Sequence, residues 1–368
     1  MDGNERQRLM KRAAQLKQAS QPASKAKNRP SFDEEDDQSV VHKKRSASLN
    51  DYVWKLLTEE ATPVAVALPK LTGTVVSIGS GVCEVVLKGV LTGCVLTPDL
   101  AKRQLTELAV GDEAALEQRG DHCFVVGVLP RRTKLSRPDA GNANLERVVV
   151  ANVDAVVVVV SVVSPPLHPR VIDRYLIAIQ RGGAIPVIAV NKLDLHTSET
   201  ALAEDLERLR PYEALGVPVV LCSAGDGRGR TELLEVLKGH LSAFVGHSGV
   251  GKSSLLNMMR PELALKTGAV SERYGRGTHT TTRSTLWDLG DGTRMIDTPG
   301  IRSFGLWKLA EEELLWYFPE FAKVRCKFGD CSHIHEPSCG VKEGVQNGAI
   351  SEDRYKTYLR LKASMQGE

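Results

Sequence analysis

Gly246-His247-Ser248-Gly249-Val250-Gly251-Lys252-Ser253 decides how the rest of this 368-residue chain is read. The apolar run Leu241-Ser242-Ala243-Phe244-Val245 precedes it, and Ser254-Leu255-Leu256-Asn257-Met258-Met259 continues it. G-x-x-x-x-G-K-S between a strand and a helix is the pattern of a phosphate-binding loop. Its glycines let successive backbone N–H groups turn toward phosphate oxygens, and the helix behind adds the positive end of its dipole. Gly246 through Ser254 therefore form the expected cradle. Lys252 is placed to reach β- and γ-phosphates, and the Ser253 hydroxyl to take a Mg²⁺ position.

Upstream, apolar strands alternate with helical stretches, which predicts an α/β domain with a parallel sheet. Ala155 to Val160 and Ile185 to Val190 read as strands, Arg170 to Gln180 and Ala201 to Arg210 as helices, and Val217 to Cys222 as a third strand. The second strand ends in Asn191-Lys192-Leu193-Asp194, and the third in Ser223-Ala224. N-K-x-D at a strand end is a base-reading device. The Asp194 carboxylate can accept from both N1–H and the 2-amino group of guanine, a donor pair that adenine lacks. The Lys192 stem can cover the purine, Asn191 can brace its loop against the phosphate loop, and a Ser223-Ala224 backbone N–H can meet O6. Ligands of open α/β sheets bind at the carboxyl ends of strands, where all these elements fall.

Downstream, Tyr274-Gly275-Arg276-Gly277-Thr278-His279-Thr280-Thr281-Thr282 offers hydroxyls for Mg²⁺ and γ-phosphate. Thr281 is the candidate, with Thr280 and Thr282 as alternatives. Leu286 to Leu289 and Thr293 to Ile296 read as a strand pair ending in Asp297-Thr298-Pro299-Gly300. Asp297 would hold Mg²⁺ through water, and the Gly300 N–H would sense the γ-phosphate. Ile301 stands where a water-orienting glutamine is common, so intrinsic turnover should be slow; His279 is the candidate replacement, with a solvent-facing loop histidine as the other reading. His247 is read as shaping its loop. Gly249 stands where an asparagine would recruit K⁺, so K⁺ activation by that route is not expected.

GTPases ordinarily carry the phosphate loop first and N-K-x-D fourth. Here the base-reading elements come first, so the domain reads as circularly permuted, a rearrangement tolerated where the new ends lie at the surface. The chain leaving Gly300 then runs directly into the C-terminal region, which predicts a covalent lever between γ-phosphate sensing and that region. One unchanged orientation with GDP and with a GTP analogue would sink this expectation.

Cys326, Cys331, His333 and Cys339 follow C-x₄-C-x-H-x₅-C, a closed donor set for one structural Zn²⁺. His335 is the alternative to His333. Ile350 to Lys362 reads as a helix whose Arg354, Lys356, Arg360 and Lys362 form a basic face, either solvated or RNA-facing.

Toward the N-terminus the texture changes twice. Five short β-type runs between Leu71 and Leu129 predict a small closed barrel, read as an OB-fold. Pro130 to Pro138 follows as a basic linker suited to phosphate contact. Residues 1 to 68 alternate basic and acidic blocks with little to bury, which predicts a disordered extension, or an arm that folds on RNA. An acidic block at Asp33 to Asp37 argues against a transit peptide. The expected division is 1–68 disordered extension, 69–134 OB-fold RNA-binding barrel, 135–308 circularly permuted P-loop GTPase domain, and 309–368 zinc-binding helical domain. The formal net charge of +3 assigns no partner. No run has the length and apolarity of a membrane span. Seven cysteines do not make a disulfide framework, and a reducing, cytoplasmic setting is expected.

These motifs together resemble the circularly permuted, small-ribosomal-subunit-dependent GTPase family known as RsgA or YjeQ. The likeness runs from about Leu71 to Leu361 and includes Ala151-Asn152-Val153-Asp154 and Asp173-Arg174-Tyr175-Leu176. It implies a monomeric assembly factor that binds the small subunit and its rRNA late in maturation, hydrolyses GTP faster there, and then leaves. It also implies an apolar residue at the glutamine position and a catalytic role for the histidine matching His279. The N-terminal extension departs from the family's compact members and inherits no role. A nucleotide-gated rRNA-binding checkpoint in which hydrolysis is incidental is the alternative, and a non-ribosomal RNA target a weaker third.

Overall fold

The computed structural model describes residues 71–139, 141–142, 144–260, 285–297, 306 and 309–366. The described residues divide into two compact units, one made of those up to Pro130 together with those between Asp139 and Arg147, the other of Arg131–Pro138 together with those from Val148 onward.

In the first unit, β1 (Leu71–Ile78), β2 (Val82–Leu87), β3 (Val90–Leu96), β4 (Glu113–Arg119) and β5 (His122–Val128) form a closed barrel in the order β1-β2-β3-β5-β4. Pairing of β1 with β4 shuts the cylinder, and β3 and β5 run parallel. Val75, Val85, Cys94, Leu96, Leu116 and Val125 fill the interior, as period-two alternation requires. One element was not expected: helix α1 (Pro98–Glu107) between β3 and β4. Its signals are present, with Pro98 in the first turn and Asp99 beside the dipole's positive end.

The second unit is built on a six-stranded sheet. Its strands are β8 (Ala155–Ser161), β9 (Ile185–Asn191), β10 (Val219–Leu221), β11 (Leu241–Val245), β12 (Thr285–Gly290) and β13 (Thr293–Asp297). The order is β10-β9-β8-β11-β13-β12, parallel throughout except for β12 at the edge. Every residue of β8 is buried, which is why Ala155-Val156-Val157-Val158-Val159-Val160-Ser161 shows no alternation. Helix α2 (Pro169–Arg181) follows β8 and buries Ile172, Asp173, Tyr175, Leu176, Ile177 and Ile179. Asp154 fixes the start of β8 to β11, its Oδ2 accepting from Leu241 N at 2.8 Å. Asn152 (φ 56°) turns the chain just before, with Oδ1 accepting from Arg132 N at 2.8 Å.

Three expectations need correction. The stretch read as a basic linker is partly a strand: β6 (Lys134–Pro138) pairs with β7 (Glu146–Ala151), with Leu135 as its one buried residue. The helix read as Ala201 to Arg210 is two pieces, α3 (Glu199–Glu207) and α4 (Arg210–Ala214). No residue of α3 is fully buried, but Leu202 and Leu206 are half-buried on one side of it and Leu209 just beyond is buried. The strand read from Val217 to Cys222 spans only Val219–Leu221.

After α5 (Arg230–Val236) and the phosphate-loop helix α6 (Lys252–Met259), the chain closes with α7 (Glu311–Leu314), two 3₁₀ turns, α8 (Gly340–Gln346) and α9 (Glu352–Gln366). Phe318, Phe321, Tyr358, Leu361 and Val341 make a small aromatic core here, and Ile177 of α2 belongs to the same cluster. The helix α9 therefore packs on α2.

The predicted basic face of α9 is not a face. Arg354 is 2 % exposed and Lys362 8 %. Arg354 Nη1 donates to Asp173 Oδ1 at 2.9 Å, while Nε and Nη2 grip the two oxygens of Glu320 at 2.7 and 3.1 Å. Burial works against this charge, but the hydrogen bonds to Glu320 and the charge of Asp173 hold the guanidinium above its ordinary pKa. Its plane also covers the Phe318 ring, 4.4 Å from the centroid. Burial pushes the Asp173 carboxyl up against the pull of Arg354. Lys362 pairs with Glu311 at 3.4 Å. Only Lys356 and Arg360 of the four point outward.

Candidate functional site

The five parallel strands bring their carboxyl ends to one edge of the sheet, and the loops leaving β8, β9, β10 and β11 meet there. Gly246 to Gly251 wraps the end of β11 and gives way to α6 at Lys252. Gly246, Gly249 and Gly251 all take positive φ (144°, 84° and 95°). At two of them a side chain is also blocked sterically. A Cβ on Gly246 would collide with the Val159 carbonyl, and one on Gly251 with Asn191 Nδ2. His247 and Ser248 are exposed, Val250 is buried, and Ser253 and Ser254 are exposed at the start of α6. Lys252 Nζ donates to the carbonyls of Gly246 (2.7 Å) and His247 (2.8 Å), so its ammonium lies against the loop backbone. Burial, with smaller repulsion from His168 and Lys252, lowers the His247 pKa, so the ring is neutral near pH 7.

Asn191 is the joint of the site. It is 1 % exposed at the end of β9. Its Nδ2 donates to the Val250 carbonyl of the phosphate loop at 2.9 Å, and its Oδ1 accepts from Ala224 N at 3.1 Å. One side chain thus ties together three loops. Lys192 follows in the left-handed conformation (φ 68°), its Nζ donating to the Ser164 carbonyl at 2.5 Å. Leu193 is buried as the anchor of the loop, and Asp194 is exposed. Ser223 Oγ donates to Asp194 Oδ1 at 2.7 Å, which orients the carboxylate. Gly225 lies so close that its Cβ would sit 2.8 Å from Asp194 Oδ2.

Two residues differ from expectation. Ser223 N donates to the Arg228 carbonyl at 3.0 Å, and Ala224 N is taken by Asn191. Neither amide is free to meet a purine O6 without exchanging its partner. Sequence reading also missed Ser164 and Gly225; the only signals were Ser164-Pro165-Pro166 after a buried strand and a glycine beside Ser223-Ala224.

His279, Thr280, Thr281, Thr282, Thr298, Pro299, Gly300 and Ile301 lie outside the described residues. Of Asp297 only the backbone is described, at the end of β13 beside β11.

Cys326, Cys331, His333 and Cys339 come together in the C-terminal region, with their donor atoms all within 4.8 Å of one another. Cys326 Sγ and Cys339 Sγ each lie 3.5 Å from His333 Nδ1 and 3.9 Å from each other. A tetrahedral zinc ion, with bonds of about 2.3 Å to sulfur and about 2.1 Å to nitrogen, spaces its ligands about 3.6 to 3.8 Å apart. The set fits. Burial and the neighbouring Cys339 and Cys326 push the Cys331 thiol up to about 12, so a metal bound here must displace a proton from it. His335 is exposed beside Glu336 and stands outside the set. The Tyr355 and Tyr358 hydroxyls donate to the carbonyls of His333 (2.7 Å) and Ser332 (3.0 Å), fixing the knuckle to α9. The other four cysteines, Cys83, Cys94, Cys123 and Cys222, are buried free thiols of the two cores.

A phosphate loop on the central strand, joined through one asparagine to an N-K-x-D loop that precedes it in the chain, defines a circularly permuted P-loop GTPase. Residues 128–307 match the family model described as RsgA GTPase. The chain is 40% identical over 273 residues to the small ribosomal subunit biogenesis GTPase RsgA of Shewanella oneidensis, covering 72% of this chain and 76% of the relative. It is 41% identical over 266 residues to the protein of the same name from Chlorobaculum parvum, covering 72% and 82%. The crystal structure of YjeQ from Thermotoga maritima is similar, with a TM-score of 0.63 at 34% identity, covering 81% of this chain and 99% of that one. So is YloQ, described as a circularly permuted GTPase, with a TM-score of 0.61 at 26% identity, covering 83% and 98%. The chain belongs to the RsgA GTPase family.

Proposed function

We propose that this chain hydrolyses GTP and acts in maturation of the small ribosomal subunit, the process for which its relatives are named. The observation that carries the reading is Asn191, which locks a guanine-reading loop to a phosphate loop at one sheet edge. Asp194, held by Ser223, reads N1–H and the 2-amino group, and the Lys192 stem covers the purine. The N–H groups of Ser248 to Lys252 and the dipole of α6 take the β-phosphate. Lys252 moves from its two loop carbonyls onto the β- and γ-phosphates, exchanging neutral hydrogen bonds for charge-assisted ones. Ser253, Asp297 and Thr281 offer the hard oxygen donors that Mg²⁺ takes, and the ion would neutralise charge building on the phosphate oxygens. His279 is the proposed water-orienting residue, and the Gly300 N–H the γ-phosphate sensor. Cys326, Cys331, His333 and Cys339 would hold one structural Zn²⁺.

Steady-state GTP hydrolysis with and without purified small subunits tests this. Large stimulation by the subunit is expected, and Lys252→Ala should lower the stimulated rate by about 100- to 1,000-fold. Absence of stimulation, with GTP still bound, would overturn the reading.

Metal analysis should find one zinc per chain. Stripping it with a chelator should lower the midpoint of thermal unfolding by more than about 10 °C, because the ion's binding energy is folding energy for a domain with a small core. An unchanged midpoint would show that the cluster is not a zinc site.

A further inference from the structure

Beside the packed helices α2 and α9 lies a cavity of about 540 Å³, within the range of small-ligand sites. Among the described residues it is lined by three arginines, Arg170 and Arg174 from α2 and Arg360 from α9, and by no carboxylate. Leu306, Leu361 and Met365 supply apolar wall. Arg174 Nε is buried without a hydrogen-bond partner. None of the three arginines has an ion pair among the described residues, whereas Arg181 on the same helix α2 and Arg354 and Lys362 on α9 do.

The placement is unfavourable for the protein alone. Arg170 and Arg174 stand four residues apart on one helix face, where like charges repel, and both lie near the positive end of the α2 dipole. Burial and Arg170 together lower the Arg174 pKa. A phosphate removes every one of these penalties: it satisfies the orphaned N–H, screens the pair and complements the dipole. The apolar wall beside it suits a base or sugar attached to that phosphate.

We propose that this cavity holds a phosphate of a single-stranded RNA segment with its adjoining nucleotide. No described residue of the phosphate loop or the N-K-x-D loop lines it, and it deepens the proposed function by assigning a place where RNA is held. The site has one half on the GTPase sheet's own helix and the other on the C-terminal helix, so an RNA bound there would be gripped by both at once.

The test is binding of a short fluorescein-labelled single-stranded poly(U) RNA to the full chain over a salt series. In Arg170→Gln/Arg174→Gln/Arg360→Gln, affinity should fall about 10- to 100-fold, and the slope of log K against log salt should shrink by about 0.7, the share of the one phosphate no longer neutralised. The matching triple lysine variant should keep most of the slope. Undiminished GTP affinity in the variants checks that they fold, and the single Arg360→Gln on exposed ground should still lower RNA affinity severalfold if the triple does not fold. An unchanged slope in the glutamine variants overturns the proposal. Full competition by uridine monophosphate at the same concentration of nucleotide would also overturn it, making the cavity a small-nucleotide site. These readouts use no subunit, so failure of subunit-stimulated hydrolysis would leave them standing, and stimulated hydrolysis with an unchanged slope would leave the proposed function standing.

Discussion

Asp194→Asn should lower GTP affinity by about 100- to 10,000-fold, because it removes two hydrogen bonds to a charged acceptor, each worth about 1.5 to 3 kcal/mol. The Asn amide would also present an N–H to the 2-amino group, a donor facing a donor. Xanthosine triphosphate carries an oxygen at that position and can accept from the same N–H, so it should bind the variant better than GTP does. The effect should stay in the base. Ser223 Oγ keeps an amide oxygen to donate to in place of Asp194 Oδ1, so the loop is not expected to collapse. Equilibrium titration with fluorescent analogues of both nucleotides measures the exchange. A GTP affinity within about threefold of wild type would show that Asp194 does not read the base.

Asp173→Ala should destabilise the chain by about 1 to 3 kcal/mol, because Arg354 Nη1 and Tyr212 Oη lose a buried acceptor while Glu320 still holds Arg354 Nε and Nη2. Asp173 is 0 % exposed and Arg354 2 %, so water cannot stand in for the missing carboxylate. Tyr212 Oη, 2.9 Å from Asp173 Oδ1, loses an acceptor in the same step. Asp173→Leu combined with Arg354→Met should recover much of the loss, since the charge requiring a partner is gone and Glu320, 15 % exposed, can turn to water. Denaturant unfolding of the single and double variants beside the unsubstituted chain decides it. A single-variant cost below about 1 kcal/mol would mean that the pair is not what joins α9 to α2.

The phosphate loop, the N-K-x-D loop and the cysteine set were legible because each is a local spacing whose chemistry requires neighbours in sequence. Sheet class followed from runs such as Val156 to Val160, where burial on both faces erases alternation. Arg354 and Lys362 were misread for the opposite reason. Their partners, Asp173, Glu320 and Glu311, lie far away in sequence, and a basic residue on a helix has the same letter whether it faces water or a buried carboxylate. The Asp173-Arg174-Tyr175-Leu176 stretch was legible only as a likeness; the structure supplies its reason, an aspartate held for Arg354 and an arginine lining the cavity. The amide partners of Ser223 and Ala224 could not be read from sequence, because Arg228 and Asn191 claim them through the fold.

The Asp173–Arg354 pair also sets an order of events during synthesis. The two residues are 181 positions apart, so at about 5 to 20 residues per second the carboxylate leaves the ribosome about 10 to 35 s before its cation exists. Through that interval α2 cannot close over Asp173 without stranding a charge. A nascent or truncated product that stops short of α9 therefore carries a phosphate loop but an unfinished scaffold, with Ile177 and its apolar neighbours open to chaperones and proteases.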